Sequence, residues 1–208
     1  MHPNPVFRQD PRDANIGFAR ERGFGVLAVG GDGVPMLSHV PFLLAEVGAQ
    51  AELHLVRSNP IARACTTPLP ARIAVSGPDS YVSPDWYEVE DQVPTWNYVA
   101  VHLTGMLEPL PRDALWDILD RQAALFEERL LPKPPWTSAK MSAGVMDRML
   151  RAIAPFRLRI ETIDGTWKLN QNKPGEVRLR AAEAVAAFGQ GQELGLLSAL
   201  MRGVDSGG

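Results

Sequence analysis

The chain has 208 residues, 45% hydrophobic and 22% charged, which suits one globular domain carrying a helical appendix. Its net charge of -3 argues against a broad nucleic-acid footprint, which needs a concentrated basic face. A single cysteine, Cys65, excludes an intrachain disulfide; with no apolar run of membrane-spanning length and no apolar leader in Met1-His2-Pro3-Asn4-Pro5, a cytoplasmic protein is expected.

Eighteen prolines and eighteen glycines predict many short elements with sharp turns. Asp10-Pro11 caps and opens a helix over residues 11–22, which Gly23 stops. Residues 24–29 read as a strand, and Gly30-Gly31-Asp32-Gly33 supplies a hairpin turn. The return strand is 35–44, where Pro41 signals an edge or a bulge. After a turn at Val47-Gly48-Ala49-Gln50, a third strand over 51–56 puts Leu53 and Leu55 on one face and Glu52 and His54 on the other. Asn59-Pro60 opens a short helical segment that ends by Pro68. A fourth strand, 72–76, is broken by Gly77-Pro78, with Tyr81-Val82 extended beyond it, and a fifth, 99–107, is closed by Pro109. Residues 111–128 form the clearest amphipathic helix, with Leu115, Ile118, Leu119, Gln122 and Phe126 at helical spacing. A loop over 131–140 and a short helix marked by Val145, Met146, Met149, Leu150 and Ile153 lead to a sixth strand, 156–163, and a turn at Asp164-Gly165. The tail over 176–202 is helical and interrupted near Gly189 and Gly191. Strands joined by short glycine turns are antiparallel, and no strand–helix alternation supports a doubly wound sheet. Six strands with inserted helices predict a small closed barrel.

Four segments carry polar and aromatic chemistry. Between Gly77 and His102 lie all three tyrosines and two of the five tryptophans, in a backbone held by prolines. Such aromatics stack on a planar ring, or they pack a barrel mouth or a subunit seam. In His54-Leu55-Val56-Arg57-Ser58-Asn59-Pro60-Ile61-Ala62-Arg63 a strand gives way to a helix start flanked by two arginines. Helix-start amides and guanidinium groups grip phosphate; the alternative is ordinary capping beside two solvated arginines. Trp167-Lys168-Leu169-Asn170-Gln171-Asn172-Lys173-Pro174 offers amides suited to a ring edge and lysines suited to an anion, or is a polar exit loop. Ser38-His39-Val40-Pro41-Phe42 holds a strand histidine whose direction the alternation leaves open. No spacing among His2, His39, His54 and His102 suggests a metal site, no GxSxG elbow is present, and the glycine runs fit neither a dinucleotide fingerprint nor a P-loop.

These segments, in this order, resemble the PaiB-type FMN-binding negative transcriptional regulators. The likeness rests on Ser38-His39-Val40-Pro41-Phe42, His54 with Asn59-Pro60, Ser80-Tyr81-Val82-Ser83-Pro84-Asp85-Trp86-Tyr87, Val93-Pro94-Thr95-Trp96-Asn97-Tyr98 with Ala100-Val101-His102, and Lys168-Leu169-Asn170-Gln171-Asn172-Lys173. It covers about residues 7–173. Asn170 departs from the serine usual at that place, and the tail after Pro174 matches weakly. The resemblance implies a mainly β fold, a six-stranded antiparallel split β-barrel of the flavin-reductase-like kind over residues 1–173, with residues 174–208 as a helical tail. It implies a homodimer with FMN sites built from both subunits. His39, Arg57, Ser58, Asn59, Arg63, Trp96, Asn97, Tyr98, Lys168, Gln171 and Asn172 are then the expected cofactor-binding residues. Arg57, Ser58, Asn59 and Arg63 would hold the phosphate, Lys168, Gln171 and Asn172 the ring edge or phosphate, and Trp96 and Tyr98 the ring face. No metal and no catalytic residue is expected; should a proton have to move, His39, His102 and Tyr98 are the candidates. The implied role is repression, and DNA binding rests on the resemblance alone, since the one candidate reading helix, residues 142–154 with Arg148 and Arg151, looks like packing. The alternatives are a flavin-dependent oxidoreductase or flavin reductase acting on a small acceptor, and a flavin carrier or plain scaffold.

Overall fold

The computed structural model describes residues 1–31, 33–142 and 144–204. Asp32 of the expected hairpin, Ala143 of the candidate reading helix and the glycine-rich residues 205–208 lie outside them.

Helix α1 (Arg12–Arg22) leads into strands β1 (Phe24–Val29), β2 (Met36–Leu44) and β3 (Gln50–Val56). A short helix α2 (Pro60–Ala64) is followed by two long strands, β4 (Leu69–Val82) and β5 (Thr95–Pro109). Helices α3 (Ala114–Glu128) and α4 (Val145–Leu150) precede β6 (Ile153–Lys168), and the chain ends in α5 (Gly175–Phe188), β7 (Gln190–Gln192) and α6 (Leu194–Gly203). The strand order is β1-β2-β3-β6-β5-β4, and β1 pairs back onto β4, so six antiparallel strands close into the expected barrel. Closure gives each strand of the ring a neighbour on both sides.

Internal contacts divide the chain into two compact units. The first comprises Met1–Asn15, Ser76–Val101 and Asp164–Gly208, the second Ile16–Val75 and His102–Ile163. Strand alternation builds the core of the second unit: Ala51, Leu53 and Leu55 of β3 are buried while Glu52 and His54 are less so. Val40, Phe42 and Leu44 of β2 do the same, and Leu115 and Ile118 of α3 lie buried in the same unit. The first unit buries Tyr87, Val99 and Val101 with Val177, Ala181 and Val185 of α5 and Leu197 and Met201 of α6. There Ser198 donates to the Ala182 carbonyl at 2.7 Å and Arg178 Nε to the Met201 carbonyl at 2.9 Å, tying the two tail helices together.

Two strands run through turn-forming residues that the sequence expectation placed at their ends, and a third begins early. Gly77-Pro78 does not break β4. β1 pairs with Ala71–Ala74 and β7 with Asp79–Tyr81, so Gly77-Pro78 lies between those two ladders. Asp164-Gly165 is not a turn but part of β6; a Cβ on Gly165 would come within 1.9 Å of Asn15 Oδ1, so glycine is there for a close approach. β5 begins at Thr95, four residues early, and takes in Trp96-Asn97-Tyr98. Pro41, the expected edge or bulge, sits where β2 finishes its ladder with β1 and begins the one with β3.

β1 crosses closely over β4 at Gly25, where an added Cβ would meet the Ala74 carbonyl oxygen at 2.8 Å and Ile73 Cγ2 at 2.9 Å. Gly25→Ala is expected to cost about 1–3 kcal/mol in urea unfolding, because it overpacks the closing ladder. Gly17→Ala, on an exposed helical position with nothing within 4 Å, should instead stabilise by about 0.5–1 kcal/mol. Equal effects at the two positions would show that close approach is not what selects Gly25.

Candidate functional site

In the second unit, the ladder of β3 on β6 runs to Val56 opposite Ile153, and Arg57 N extends it with a bond to the Ala152 carbonyl at 2.9 Å. The chain then turns, with Asn59 N bonded to the Val56 carbonyl at 2.9 Å. Asn59 Oδ1 accepts from Ile61 N at 2.9 Å and so caps α2, while its Nδ2 donates to Ser38 Oγ at 3.1 Å. One side chain thus joins the α2 start to β2. Arg57, Ser58 and Arg63 are exposed, and among the described residues neither guanidinium has a hydrogen bond or ion pair. The helix start itself offers little to an anion. α2 has five residues, Pro60 has no N–H, and the Ile61 amide is taken by Asn59. Any anion grip at this corner comes from the arginines and Ser58. His39 lies on the outward face of β2, opposite the set containing buried Val40, and stacks on Phe24 with ring centroids 6.4 Å apart.

In the first unit, Trp96 is 46% exposed, donates Nε1 to Asp79 Oδ1 at 3.0 Å and meets Tyr81 edge-on. Asn97 alternates inward, fully buried, with Nδ2 on Met201 Sδ at 3.6 Å. Tyr98 returns to the outer face, half-buried. At the end of β6, Lys168 Nζ donates to Thr95 Oγ1 and lies 5.8 Å from the Phe7 ring centre. Burial pulls its ammonium below the ordinary lysine range. The following turn is held from within: Gln171 Oε1 accepts from Leu169 N at 2.8 Å and its Nε2 donates to the Trp167 carbonyl at 2.5 Å. Both ends of that amide are therefore spent on the main chain. Asn170 adopts the left-handed conformation at φ 63° and accepts from the Tyr87 hydroxyl at 3.5 Å. The Tyr87 phenol is pushed up, mostly by burial, partly offset by that bond. Asn172 is exposed.

Sequence reading passed over Thr95, Tyr87 and Asn15 as partners. Thr95 supports Lys168, Tyr87 supports Asn170, and Asn15 Oδ1 accepts from Trp167 Nε1 at 2.8 Å. Thr95, inside the Pro94-Thr95-Trp96 run, and Tyr87, at the end of the Ser80 to Tyr87 run, stood where a motif could have flagged them; Asn15 did not. The structure gathers His39's strand with Arg57, Ser58, Asn59 and Arg63 in one unit, and Trp96, Asn97, Tyr98, Lys168, Gln171 and Asn172 in the other.

The fold is that of the split barrels. The FAD and heme binding protein from Mycobacterium smegmatis aligns with TM-score 0.57 at 19% identity, over 89% of this chain and 82% of that one. The flavocytochrome Anf3 from Azotobacter vinelandii aligns with TM-score 0.54 at 15% identity, over 80% and 72%. At such identities the likeness concerns the fold. The chain belongs to the family FMN_bind_2, "Putative FMN-binding domain", which residues 1–162 match. It is 29% identical over 158 residues to "Protease synthase and sporulation protein PAI 2" of Bacillus subtilis, covering 75% of each chain. It is also 30% identical over 86 residues to the uncharacterized protein YKL070W of Saccharomyces cerevisiae, 38% of this chain and 51% of that protein. The family match stops before Lys168, so the residues at the end of β6 lie outside it.

Asn59→Ala removes the α2 cap and the link to Ser38. A loss of about 1 kcal/mol in urea unfolding is expected, against a smaller loss for Ser38→Ala, which leaves the cap in place. Equal losses would mean that the cap carries none of the effect.

Proposed function

We propose that this chain binds FMN as a homodimer, with both chains contributing to each flavin site, and that it serves as a flavin-binding regulatory protein of the PaiB type. The observation that carries the flavin reading is the family match over residues 1–162, together with two exposed arginines at one corner that meet no acidic partner among the described residues. That donor set fits a phosphate: guanidinium groups bind its oxygens bidentately, and Ser58 adds a hydroxyl. Asn59 is the organiser of this corner, since its amide is engaged by Ile61 and Ser38. His39 offers an imidazole on the outward face of β2.

At the other cluster, Lys168 is the charged donor for a ring edge or a phosphate. Its ammonium is already part-buried, so an arriving anion replaces solvation that the lysine has lost. Gln171 shapes the turn that presents Asn172, while Asn97 holds β5 from inside. Trp96 and Tyr98 stack on the ring or close the pocket from the partner chain. When bound, FMN supplies one- and two-electron redox chemistry, and the protein's share is binding and orientation. The regulatory part rests on the 29% identity to the Bacillus subtilis sporulation protein. Among the described residues no helix is long and apolar enough to cross a membrane.

Purified protein titrated with FMN, followed by flavin fluorescence and native mass, should show one flavin per chain on a dimer. Arg57→Ala and Lys168→Ala should each weaken binding about 10–100-fold, as the loss of a charged hydrogen bond predicts, with the circular dichroism of the barrel unchanged. Wild-type affinity in both variants would refute the phosphate and ring-edge assignments. A gel shift on the upstream DNA of its own gene, at low salt with and without FMN, tests the regulatory role; no shift in either state counts against direct operator binding.

A further inference from the structure

We propose that the two faces of β5 serve two different flavin sites: the Thr95–Lys168 pair holds an oxygen of one FMN, on its ring edge or its phosphate, while Trp96 and Tyr98 of the same chain cover the FMN held by the partner chain. The inference rests on the reading of this chain as an FMN-binding homodimer, and it divides that site between the two copies.

The division follows from strand geometry. Successive side chains of a strand point to opposite faces of the sheet. On β5, Asn97, Val99 and Val101 are buried, and Thr95 belongs to their set. Trp96, 46% exposed, and Tyr98 belong to the other. On β6, Lys168 falls in the same alternating set as buried Thr166, and its Nζ donates to Thr95 Oγ1. Trp96 leans the other way: Nε1 donates to Asp79 and the ring meets Tyr81, both on β4. In the sheet β5 lies between β6 and β4. The ammonium and the indole are therefore separated both by face and by flank. Neighbouring strands lie about 5 Å apart, so β6 and β4 are about 10 Å from each other. A ring lying on the Trp96 side has β5 itself between it and Lys168. Each group is nonetheless open to a ligand on its own side. Lys168 meets neutral partners, the Thr95 hydroxyl and the Phe7 ring, and no carboxylate among the described residues. The Thr95 hydroxyl accepts from Lys168, and its own hydrogen goes to no acceptor among the described residues. It is thus a second donor beside the ammonium. On the other face, Trp96 and Tyr98 offer aromatic surface to a planar ring. In a dimer that shares its flavin sites, one strand then supplies polar donors to one site and aromatic cover to the other.

Complementation between two defective chains tests this. Full-length Lys168→Ala and Trp96→Ala chains with different affinity tags are co-expressed, and the mixed dimer is isolated on both tags and verified by native mass. Each parent homodimer should bind FMN at least about tenfold more weakly than wild type. The mixed dimer should contain one site with both defects and one with neither, and so bind one FMN per dimer at wild-type affinity. If both groups served the same flavin from the same chain, each site would carry one defect; a mixed dimer without a wild-type site therefore overturns the proposal. Tyr98→Ala takes the place of Trp96→Ala should the latter lose the circular dichroism of the barrel, and wild-type affinity in both of those homodimers also overturns it. Thr95→Val should weaken FMN binding about threefold to tenfold and Thr95→Ser should not; equal affinities overturn the role of the hydroxyl. A riboflavin titration of Lys168→Ala distinguishes the two contacts: a loss seen with FMN alone assigns the phosphate, a loss seen with both assigns the ring edge. A wild-type chain that stays monomeric or ignores FMN overturns the homodimer reading itself, together with the division built on it, and so is told apart from failure of the division alone.

Discussion

Four residue pairs close the barrel. Val26–Val29 of β1 lie against Ala71–Ala74 of β4, and without that ladder the sheet would be an open strip with two free edges. Closure explains features that local propensity does not. β1 is only six residues long yet must pair on both sides, with β2 at one edge and β4 at the other. Its inward positions, Leu27 and Val29, are consequently almost fully buried. β2 likewise cannot stay with one neighbour along its length, and Pro41 sits where its ladder passes from β1 to β3. The barrel is thus a set of short shared ladders rather than a stack of hairpins.

That arrangement decides which parts of the fold a sequence makes legible. β1 was readable to the residue, because an alternating apolar run stands between two glycine-containing turns. β3 was readable because its alternation stands between the Gly48 turn and Asn59-Pro60, down to which of Leu53 and His54 faces the core. The long strands were not. β4 and β6 run 14 and 16 residues, and each contains a dipeptide that normally ends a strand. Gly77-Pro78 lies between the ladders with β1 and β7, and Gly165 is required because Asn15 comes so close. Both reasons concern the neighbour, which local pattern does not encode. β7 was missed because three exposed residues, Gln190, Gly191 and Gln192, have no apolar alternation; they form a strand only because the edge of β4 at Asp79–Tyr81 accepts them.

The candidate site divides along the same line. Residue type and order picked out the corner at Arg57, Ser58 and Asn59 and the segment from Lys168 to Asn172. They did not say which polar side chains spend their hydrogen-bonding capacity internally. Asn59 and Gln171 do so on the backbone, and Asn97 is buried against Met201. A polar residue in a motif is therefore as often the frame of a site as its contact surface. Arg57 and Arg63, by contrast, are long, exposed and unengaged among the described residues. Frame and contact have different signatures under mutation. Loss of a frame residue shows first in stability, loss of a contact residue first in affinity.

A regulatory role and a redox role make the same demand of the proposed flavin corner and different demands of the rest of the chain. Reading a DNA groove by helix requires a presented helix with several side chains reaching base edges. The stretch considered for that purpose contains α4, six residues or roughly 9 Å long, with Leu150 buried and Met146 and Met149 lining an apolar cleft. The charged residues that this helix exposes, beside the exposed Met149, are Asp147 and Arg148, one of each sign. A net charge of -3 adds no compensating field. Direct readout would therefore have to use a surface other than this helix. A redox role needs no such surface, since the flavin carries the electrons and the protein has only to hold it and admit an acceptor. The regulatory reading stands on kinship with a sporulation protein and carries the heavier structural demand, so it is the DNA experiment, more than the flavin one, that decides what this barrel is for.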